Sequence, residues 1–599
     1  MRPLARLNKY FWEYKHLFLP GLLCAAIAAG FRVTIPVVVR VAVDGIPRYV
    51  GYYEMFVNTQ VQGYIYAYVV VSLLTLGGII IITSLTSGAF TFLMRQTVVV
   101  ASRHIEYDLR NTLFDHLQRL SYGFYLKHAT GDLITRATSD IEQVRRYIGP
   151  AFMYATQAFV TMVSAVSVMF IISPTLTLYA LIPMPFLAIG VFIVSKLVHT
   201  RSNALQQQYS SLTSRVQEAL SGIRVLKAYS RETAEAEAFD AESDAYRRRS
   251  LDLALVDAIF RPVFLILIGL STIIVIWEGG RLVAEGTITI GNIAEFIIYV
   301  AYMTWPVASI GFIITMVQRA SASIIRLNEV WDTVPAIMDG EATDASITSI
   351  KGRITFDDVR YGYEDDTDVL DGISFDVPAG QTLALVGRTG SGKTTLIEMI
   401  PRLIEPQHGT VKIDGRPLDE IPIDTLRSNV SYVPQDVFLF SSTVADNIAF
   451  GRMDADRADV EQAAREAELL DNIADFPDGF ETRVGERGIT LSGGQKQRAS
   501  IARALVRDPR ILILDDALSA VDTNTEAKIL GHLRKHYGRR TVVIVSHRIS
   551  AVQDADLILV LDDGAIVERG QHADLVALGG LYADLYHKQQ LEQEIEALG

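Results

Sequence analysis

The chain has 599 residues, 50% of them hydrophobic and 21% charged, and a formal net charge of −13 at pH 7. Its positive mean hydropathy excludes a wholly soluble protein and indicates that part of the chain lies in lipid. The acidic balance argues against nucleic acid as a partner, and the single cysteine, Cys24, cannot form an internal disulfide.

Six apolar segments before residue 330 are long enough to cross a bilayer as helices, which takes about 20 residues. Ser173-Pro174 separates the third from the fourth, because proline disfavours helical backbone at the preceding residue. A short amphipathic helix on the membrane surface is expected before the first span. The predicted membrane domain, 1–330, therefore has a surface helix at 4–14 and spans at approximately 17–43, 64–100, 147–172, 175–198, 253–277 and 290–318.

The loops after the second and fourth spans are rich in Lys and Arg, whereas the opposite loops hold only Arg48 and Arg281. Because loops rich in basic residues stay on the cytoplasmic side, we expect both termini in the cytoplasm. The first apolar run lacks a cleavage site and is interpreted as an uncleaved anchor. No organelle-targeting presequence is present, which favours a bacterial cytoplasmic (inner) membrane.

A helix from residue 64 to 120 would be about 85 Å long, far more than the ~30 Å hydrocarbon core. We therefore expect helices that project deep into the cytoplasm. Their tips, around Tyr122–Lys127 and Gln217–Leu226, are suited to contact another domain and transmit its movement. The alternative is a pair of ordinary solvated helical hairpins.

Polar residues inside a span are functional candidates because burying them in lipid is costly. Those in the predicted spans are Arg32, Arg40, Asp44, Asp257, Arg261 and Glu295. The pairs Arg40 with Asp44 and Asp257 with Arg261 are spaced to meet on one helix face. Arg32 and Glu295 remain as candidates for contact with a transported compound.

A soluble domain is predicted at 351–590, after a linker at 331–350 and before a tail at 591–599. A buried strand in this domain, Leu383–Val386, leads directly into Gly387-Arg388-Thr389-Gly390-Ser391-Gly392-Lys393-Thr394 and then a helix. Amides of such a loop cradle phosphates, its lysine neutralises the β- and γ-phosphates, and its Thr394 hydroxyl reaches Mg²⁺.

Two further strands end in residues suited to the same chemistry. Ile511–Leu514 is followed by Asp515, a candidate Mg²⁺ ligand, often through water. Val542–Val545 is followed by Ser546 and His547, and an imidazole at this edge of a sheet can contact a γ-phosphate. The alternatives are a plain buried strand ending in two solvated acids and a packed or surface histidine.

Downstream of the glycine-rich loop the chain reads Leu491-Ser492-Gly493-Gly494-Gln495. With this motif the chain resembles, over nearly its whole length, an ATP-binding-cassette exporter half-transporter. The resemblance implies an all-α six-helix transmembrane domain with long cytoplasmic extensions, followed by an α/β P-loop nucleotide-binding domain with a helical subdomain. It also implies a second half-transporter as partner, because the signature of one chain covers the nucleotide of the other.

The resemblance further assigns Tyr363 to adenine stacking, with Tyr361 as a near alternative, and Thr482–Glu486 to a loop that contacts the cytoplasmic tips. It places Gln435 in an Mg²⁺-sensing loop and Ser519–Asp522 in a dimer contact. The implied nucleotide contacts are Tyr363, Gly387, Thr389, Gly390, Ser391, Gly392, Lys393, Thr394, Thr395, Gln435, Ser492, Gly493, Gly494, Gln495 and Asp522. The implied metal ligands are Thr394, Gln435 and Asp515, and the implied catalytic residues are Asp516, His547 and Gln435.

Asp516 departs from the family pattern, which has a catalytic glutamate there. Aspartate is one methylene shorter, so its carboxylate should miss the attacking water by about an ångström, which can cost ~10²-fold in rate. The departure favours a heterodimer in which this chain carries the degenerate ATP site. A homodimer in which Asp516 works slowly is the alternative.

The predicted function is ATP-driven export of hydrophobic or amphipathic compounds, drugs and lipids first and peptides second, by alternating access. An ATP-gated regulatory membrane protein on the same scaffold is a competing class. Soluble chromosome-maintenance ATPases that share the cassette are excluded by the six spans and the absence of long coiled coils.

Overall fold

The computed structural model describes residues 2–363, 368–485, 491–535 and 538–598. These form two compact units, one made of Met1–Gln118 with Thr130–Thr333 and the other of Arg119–Ala129 with Val334–Gly599. The predicted membrane domain, 1–330, placed the segment 119–129 with the spans. In the structure this segment belongs to the second unit.

All regular secondary structure in the described part of the first unit is helical. In chain order the α-helices up to residue 331 are α1 (Asn8–Glu13), α2 (Lys15–Met55), α3 (Val61–Arg119), α4 (Tyr122–Lys127), α5 (Thr130–Thr135), α6 (Ile141–Arg146), α7 (Phe152–Ile172), α8 (Pro174–Leu181), α9 (Pro183–Ser221), α10 (Ile223–Ala228), α11 (Glu232–Ala284) and α12 (Ile290–Trp331). Two π-helical turns, Arg136–Asp140 and Tyr147–Ala151, join α5 to α7.

Six helical stretches in the described residues are long and apolar enough to cross a membrane. They are Lys15–Met55, Val61–Arg119, Thr130–Ile172, Pro174–Ser221, Glu232–Ala284 and Ile290–Trp331. Each contains one predicted span and extends beyond it, because the flanking charged sequence is itself helix-forming. With 59 residues α3 is about 90 Å long.

The surface helix predicted at 4–14 is not continuous. Arg2–Leu7 forms a 3₁₀ helix, and α1 follows it. Short 3₁₀ segments are common at the ends of helices, where the first amides have no partner within an α-helix.

In the first unit α12 packs against α2 and α7, and α9 packs against α11 and α12. The core of this packing includes Phe296 and Tyr299, both fully buried. A capping box formed by Thr289 and Asn292 begins α12. Further along α12, Arg326 donates to the buried carboxylate of Asp140.

The second unit contains two sheets. The strands are β1 (Ile354–Tyr361), β2 (Leu370–Val377), β3 (Thr382–Gly387), β4 (His408–Ile413), β5 (Arg416–Pro417), β6 (Val430–Val433), β7 (Ile511–Asp515), β8 (Thr541–Val545), β9 (Leu557–Asp562) and β10 (Ala565–Gly570). The smaller sheet is antiparallel with order β2-β1-β4-β5, and the larger has order β10-β9-β3-β8-β7-β6. The pairs from β9 to β6 in the larger sheet are parallel, and β10 is antiparallel to β9.

Helices lie between these strands and after them. They are α13 (Lys393–Glu398), α14 (Ile423–Asn429), α15 (Val444–Ala449), α16 (Arg457–Glu466), α17 (Leu470–Ala474), α18 (Gly493–Leu505), α19 (Thr523–Arg534), α20 (Ile549–Val552), α21 (His572–Leu578) and α22 (Leu581–Leu598). Helices α15 to α18 make up a helical subdomain between β6 and β7. The tail predicted at 591–599 is instead the end of α22 as far as Leu598.

The parallel order β3-β8-β7 aligns the carboxyl ends of three strands. Leu385 of β3 pairs with Val545 of β8, and Val545 pairs with Asp515 of β7. All three strands are buried along their whole length, which explains why they appear in the sequence as continuous apolar runs. Loops after aligned strand ends are where α/β sheets bind ligands.

Candidate functional site

A cavity of about 290 Å³ lies at the carboxyl ends of β3, β7 and β8. It is lined by Tyr363, Val369, Thr389, Gly390, Ser391, Gly392, Lys393, Thr394, Thr395, Gln435, Asp515, Asp516, Val545 and His547. The structure thus brings together residues that the sequence placed in five separate segments. The signature residues Ser492–Gln495 and Asp522 do not line this cavity.

The loop between β3 and α13 depends on a glycine at its end. Gly392 caps α13 with φ of +90°, and a Cβ there would lie 2.7 Å from Leu370 Cδ2 and 2.8 Å from the Val369 carbonyl oxygen. The Lys393 ammonium donates to the carbonyl oxygens of Gly387 (3.0 Å) and Arg388 (2.7 Å). Burial lowers the pKa of Lys393, opposed by Asp515 and Asp516. The loop therefore places a buried cation where a phosphate fits.

Next to the lysine, Asp515 accepts two hydrogen bonds from hydroxyl groups. Thr394 Oγ1 donates to Asp515 Oδ2 at 3.0 Å, and Tyr432 Oη donates to the same oxygen at 3.3 Å. Burial raises the pKa of Asp515, and the two donors act against that rise. A hydroxyl and a carboxylate are hard oxygen ligands of the kind that Mg²⁺ prefers, so these residues fit the ion.

The described residues contain no group of three or more His, Cys, Asp or Glu side chains that could hold a metal alone. Mg²⁺ at Asp515 would therefore take its other ligands from nucleotide phosphates and water, as it commonly does.

Two residues at this site were not predicted from the sequence. Tyr432 is in β6, paired with Ile513 of β7, so only the strand order brings its hydroxyl to Asp515. Glu398 ends α13 and is buried; burial first, and the charge of Asp515 second, raise its pKa to about 7. A glutamate between the apolar pairs Leu396-Ile397 and Met399-Ile400 was the available signal for Glu398.

Tyr363 and Tyr361 occupy different places. Tyr363 lines the cavity, is 43% exposed and shares a hydrogen bond of 3.0 Å between its hydroxyl and Thr395 Oγ1. Tyr361 is not among the lining residues and packs edge-on against Tyr363 at 5.2 Å between ring centroids. Of the two tyrosines, Tyr363 is the one placed to meet a ligand.

Asp516 reaches the cavity from the turn after β7. Its φ is +45°, in the left-handed region, and its amide donates to the Val545 carbonyl oxygen at 2.8 Å. Its own carbonyl accepts from Ser519 Oγ at 2.8 Å. These bonds fix the turn, so the length of the side chain decides how far the carboxylate reaches into the cavity.

The signature residues form a second surface. Ser492 caps α18 in a capping box: its hydroxyl accepts from the Gln495 amide at 3.3 Å, and the Gln495 side chain accepts from the Ser492 amide at 2.9 Å. Gly494 lies where a Cβ would come within 2.8 Å of the Ala520 carbonyl oxygen. The amides of Gly493 and Gly494 are the first of a helix, where amides have no helical partner.

This second surface continues into the loop before α19. Gln497 of α18 donates to Ser519 Oγ at 3.0 Å and accepts from the Ala520 amide at 2.9 Å. Asp522 caps α19 by accepting from the Thr525 amide at 3.0 Å, and this bond lowers the pKa of Asp522. We call Ser492–Gln495 together with Ser519–Asp522 the signature surface.

Comparisons with known proteins agree with this arrangement. The sequence profile of the ABC transporter transmembrane region matches residues 18–307, and the ABC transporter profile matches residues 370–519. The multidrug resistance-like ATP-binding protein MdlA of Escherichia coli (strain K12) is 35% identical over 599 residues, covering 100% of this chain and 98% of MdlA. The chain belongs to the ABC transporter family.

Other members are similar over most of their length. The probable multidrug resistance ABC transporter ATP-binding/permease protein YheI of Bacillus subtilis (strain 168) is 40% identical over 489 residues, covering 81% of this chain and 83% of YheI. A structure of a bacterial Atm1-family ABC exporter with ATP bound has a TM-score of 0.78 and 26% identity, covering 98% of this chain and 100% of that one.

The predicted half-transporter is thereby confirmed: one chain fuses six apolar helices to one ABC ATP-binding domain. It is a multi-pass membrane protein, and its ABC domain implies ATP hydrolysis coupled to transport. The predicted fold class is also confirmed.

In the membrane part of this ABC transporter, one predicted ion pair is wrong. Arg40 does not pair with Asp44; its guanidinium donates to Glu295 Oε2 of α12 at 3.3 Å. Asp44 instead accepts from the Gly291 amide and the Thr289 hydroxyl, both at 2.7 Å, at the start of α12. Arg40 and Asp44 therefore each have partners at the start of or within α12 rather than one turn away on α2.

Glu295 is fully buried and also accepts from Asn292 and Tyr299. This network leaves the Glu295 carboxylate enclosed by protein donors. The side chain of Arg261, predicted to pair with Asp257, lies outside the described residues, as does Glu486 of the predicted tip-contacting loop.

Proposed function

We propose that this ABC transporter is one half of a dimeric exporter that uses ATP to move hydrophobic or amphipathic compounds across the cytoplasmic membrane by alternating access. The observation that carries the proposal is the cavity that joins Lys393, Thr394 and Asp515 in a chain with six apolar helices. The multidrug names of MdlA and YheI support drugs as one cargo class.

In this proposal the loop amides and Lys393 bind the β- and γ-phosphates of ATP. Thr394, Asp515 and Gln435 hold Mg²⁺, which supplies neutralisation of the charge that develops on the transferred phosphoryl group. His547 contacts the γ-phosphate, and Tyr363 stacks on the adenine. The positions of these side chains around one cavity support the assignment.

Two chains are needed because the signature surface of this chain does not line its own cavity. The amides at the start of α18 are suited to bind a negatively charged ligand, since helix N-termini favour anions. We infer that they close over the nucleotide held by the partner chain. Gln497, which bonds α18 to the Ser519–Ala520 backbone, holds the two parts of that surface together.

The partner in this proposal is a different half-transporter. Asp516 lines the cavity where a catalytic glutamate is expected, and its backbone is fixed by Val545 and Ser519. The shorter carboxylate weakens water activation at this site, whereas the intact signature surface completes a competent site with the partner's nucleotide. Hydrolysis then occurs mainly at that second site.

Movement passes from the ATP-binding unit to the spans through the cytoplasmic tips. The first tip, α4, belongs to the same compact unit as the nucleotide cavity, and Ser121 Oγ beside it accepts from the Ile337 amide at 2.9 Å. The second predicted tip, Gln217–Leu226, spans the junction of α9 and α10. Both tips and both termini are cytoplasmic in this proposal.

The test is to purify the chain alone and together with a co-encoded homologous half-transporter, and to measure Mg²⁺-dependent ATPase activity of wild type and Asp516→Glu. We expect little activity from the lone chain and a rise, up to ~10²-fold at this site, in Asp516→Glu. Asp515→Asn, added to Asp516→Glu, is the matched control. It removes the neighbouring carboxylate and should abolish the gain in ATPase activity.

Robust ATPase activity of the lone wild-type chain would contradict the heterodimer and support the alternative, a homodimeric exporter of lipids or peptides. The ATP-gated regulator is separated by transport itself: an exporter accumulates cargo in inside-out vesicles on addition of ATP, and its ATPase responds to that cargo. A regulator would bind ATP and do neither.

A further inference from the structure

The first unit contains a cavity of about 310 Å³ between α9 and α12, away from the Arg40–Glu295 network. It is lined by Ala188, Val191, Phe192, Lys196, His199, Ile310, Gly311, Ile314, Thr315 and Gln318. Its volume is within the range of pockets that bind small molecules. We call it the α9–α12 cavity.

The lining is divided by polarity along the helix axes. On α9 the apolar residues come first, and Lys196 and His199 come last. On α12 the order is the same, from Ile310 to Gln318. Because spans alternate in direction, the fourth and the sixth run parallel, so the two polar ends coincide. The cavity is therefore apolar at one end and polar at the other.

Only positive charge occurs at the polar end. Lys196 is the one permanently charged side chain of the lining, and no carboxylate lines the cavity. Within the described part of the chain, no acidic group lies within ion-pair distance of Lys196. The next cation on this helix, Arg201, is in contrast paired with Asp252 at 3.0 Å and does not line the cavity.

The dimensions suit an alkyl chain. From residue 188 to residue 199 the helix rises by roughly 16 Å, close to the length of an extended chain of about twelve carbons. With the proposed topology the polar end lies at the cytoplasmic boundary of the membrane, where the headgroup of an amphiphile would lie.

We propose that the α9–α12 cavity binds an amphiphile with one anionic headgroup, its phosphate or carboxylate at Lys196 and His199 and its alkyl chain between Phe192 and Ile314. This inference rests on the proposed export function and names the substrate class: anionic amphiphiles taken from the cytoplasmic side. Thr315 and Gln318 supply neutral donors to the same headgroup. A cationic amphiphile finds no counter-charge in the lining.

The experiment uses the full chain with its partner half-transporter in nanodiscs of zwitterionic lipid. Three probes share a dodecyl chain with a terminal diazirine: dodecyl phosphate, dodecyltrimethylammonium and dodecyl maltoside. Affinity is measured by saturation of photo-cross-linking, and labelled peptides are mapped. We expect dodecyl phosphate to bind most tightly and to label the peptides around Phe192 and Ile314.

Variants then test the headgroup contact. Lys196→Gln should weaken the binding of dodecyl phosphate about tenfold, because it removes a charge-assisted hydrogen bond, and should leave the affinity for dodecyl maltoside unchanged. Lys196→Arg should retain binding, and Arg201→Gln, on the same helix, should have no effect. Ile314→Trp, which fills the apolar end, should weaken every probe. Equal affinities of the three probes, or an equal loss of all of them in Lys196→Gln, would overturn the proposal.

Two further measurements separate the source of the ligand from the function. Addition of phosphatidylglycerol to the nanodiscs displaces dodecyl phosphate if the bilayer supplies the ligand; retained binding identifies a free amphiphile, and both results support the site. If Lys196→Gln leaves ATP-driven transport of dodecyl phosphate unchanged, the proposed binding site is overturned and the proposed export function stands. If dodecyl phosphate labels the cavity but is not transported on addition of ATP, the binding site stands and the proposed export function is overturned.

Discussion

The nucleotide cavity and the signature surface are marked by equally clear motifs, but only one of them is a complete site within this chain. In the cavity, Lys393 and Asp515 are buried, and each is hydrogen-bonded to groups of the same chain. In the signature surface, Ser492 and Asp522 cap helices and are exposed. The difference supports the proposal that the second surface is shaped in advance for a ligand that another chain brings.

The largest effect should come from breaking the cavity alone. Lys393→Ala removes the buried ammonium that faces phosphate, and we expect ATP affinity of the chain to fall by at least about 100-fold, since hydrogen bonds to charged groups are strong. Equilibrium binding of a fluorescent ATP analogue measures it. Lys412→Ala is the control, because Lys412 pairs with Asp357 outside the cavity. Unchanged affinity in Lys393→Ala would contradict the assignment of this lysine.

Breaking the signature surface should spare ATP binding to this chain and impair hydrolysis by the pair. Ser492→Asp keeps a residue that caps helices well, but it places negative charge where the partner's nucleotide is expected. We expect ATPase activity of the assembled pair to fall by about tenfold or more, with the lone chain's ATP affinity unchanged. Ser428→Asp, on the exposed end of α14, is the control. A loss of ATP affinity in the lone chain would contradict the separation of the signature surface from the nucleotide cavity.

A smaller effect is expected from the tyrosine that supports the metal ligand. Tyr432→Phe deletes the hydroxyl that donates to Asp515 at 3.3 Å while Thr394 still donates. The Mg²⁺ concentration for half-maximal ATPase should rise a few-fold, because one of two bonds that orient the carboxylate is lost. A titration of Mg²⁺ at fixed ATP measures this. Tyr361→Phe, outside the cavity lining, should not change the titration.

The smallest effect concerns stability and pH. Burial raises the pKa of Glu398 from its ordinary value of 4.5 to about 7 in the folded protein. The unfolded chain therefore releases the proton first, and stability falls as pH rises from about 4.5 to about 7. Glu398→Gln removes this loss. We expect its melting temperature to exceed that of wild type by a few degrees at pH 8 and by less at pH 5.5.

Thermal unfolding without nucleotide measures this difference, and Glu341→Gln, an exposed carboxylate after α12, is the control. If Glu398→Gln lowered the melting temperature at pH 8, the charged form of Glu398 would be stabilised by the fold, contrary to its burial.

The strands β3, β7 and β8, and the loop after β3, could be predicted because the signals are local: apolar runs followed by glycines and acids. Tyr432 and Glu398 could not, since their place at Asp515 depends on strand order and on the packing of α13. Arg40 shows the same limit in the membrane part. Its partner Glu295 is on α12, and a rule for one helix face pointed to Asp44 instead.

The long helices could also be predicted: the helix expected from residue 64 to 120 is confirmed by α3, Val61–Arg119. Apolar content marks the hydrocarbon core, but the helices continue through charged sequence to Arg119 and Ser221. The predicted spans therefore match the six apolar helices of the described residues, and the expected extensions beyond the hydrocarbon core account for the rest of the helix length.

Segment 119–129 has a consequence for how the protein is made. It leaves the ribosome long before residue 334, yet it belongs to the unit that continues from there. The hydrogen bond between the Ile337 amide and Ser121 Oγ therefore forms only after residue 337 has been synthesised. The ATP-binding unit therefore cannot be completed from its own contiguous stretch of chain. A fragment starting at residue 334 would fold with an uncovered patch, and during synthesis the early spans would insert with one tip still unpaired.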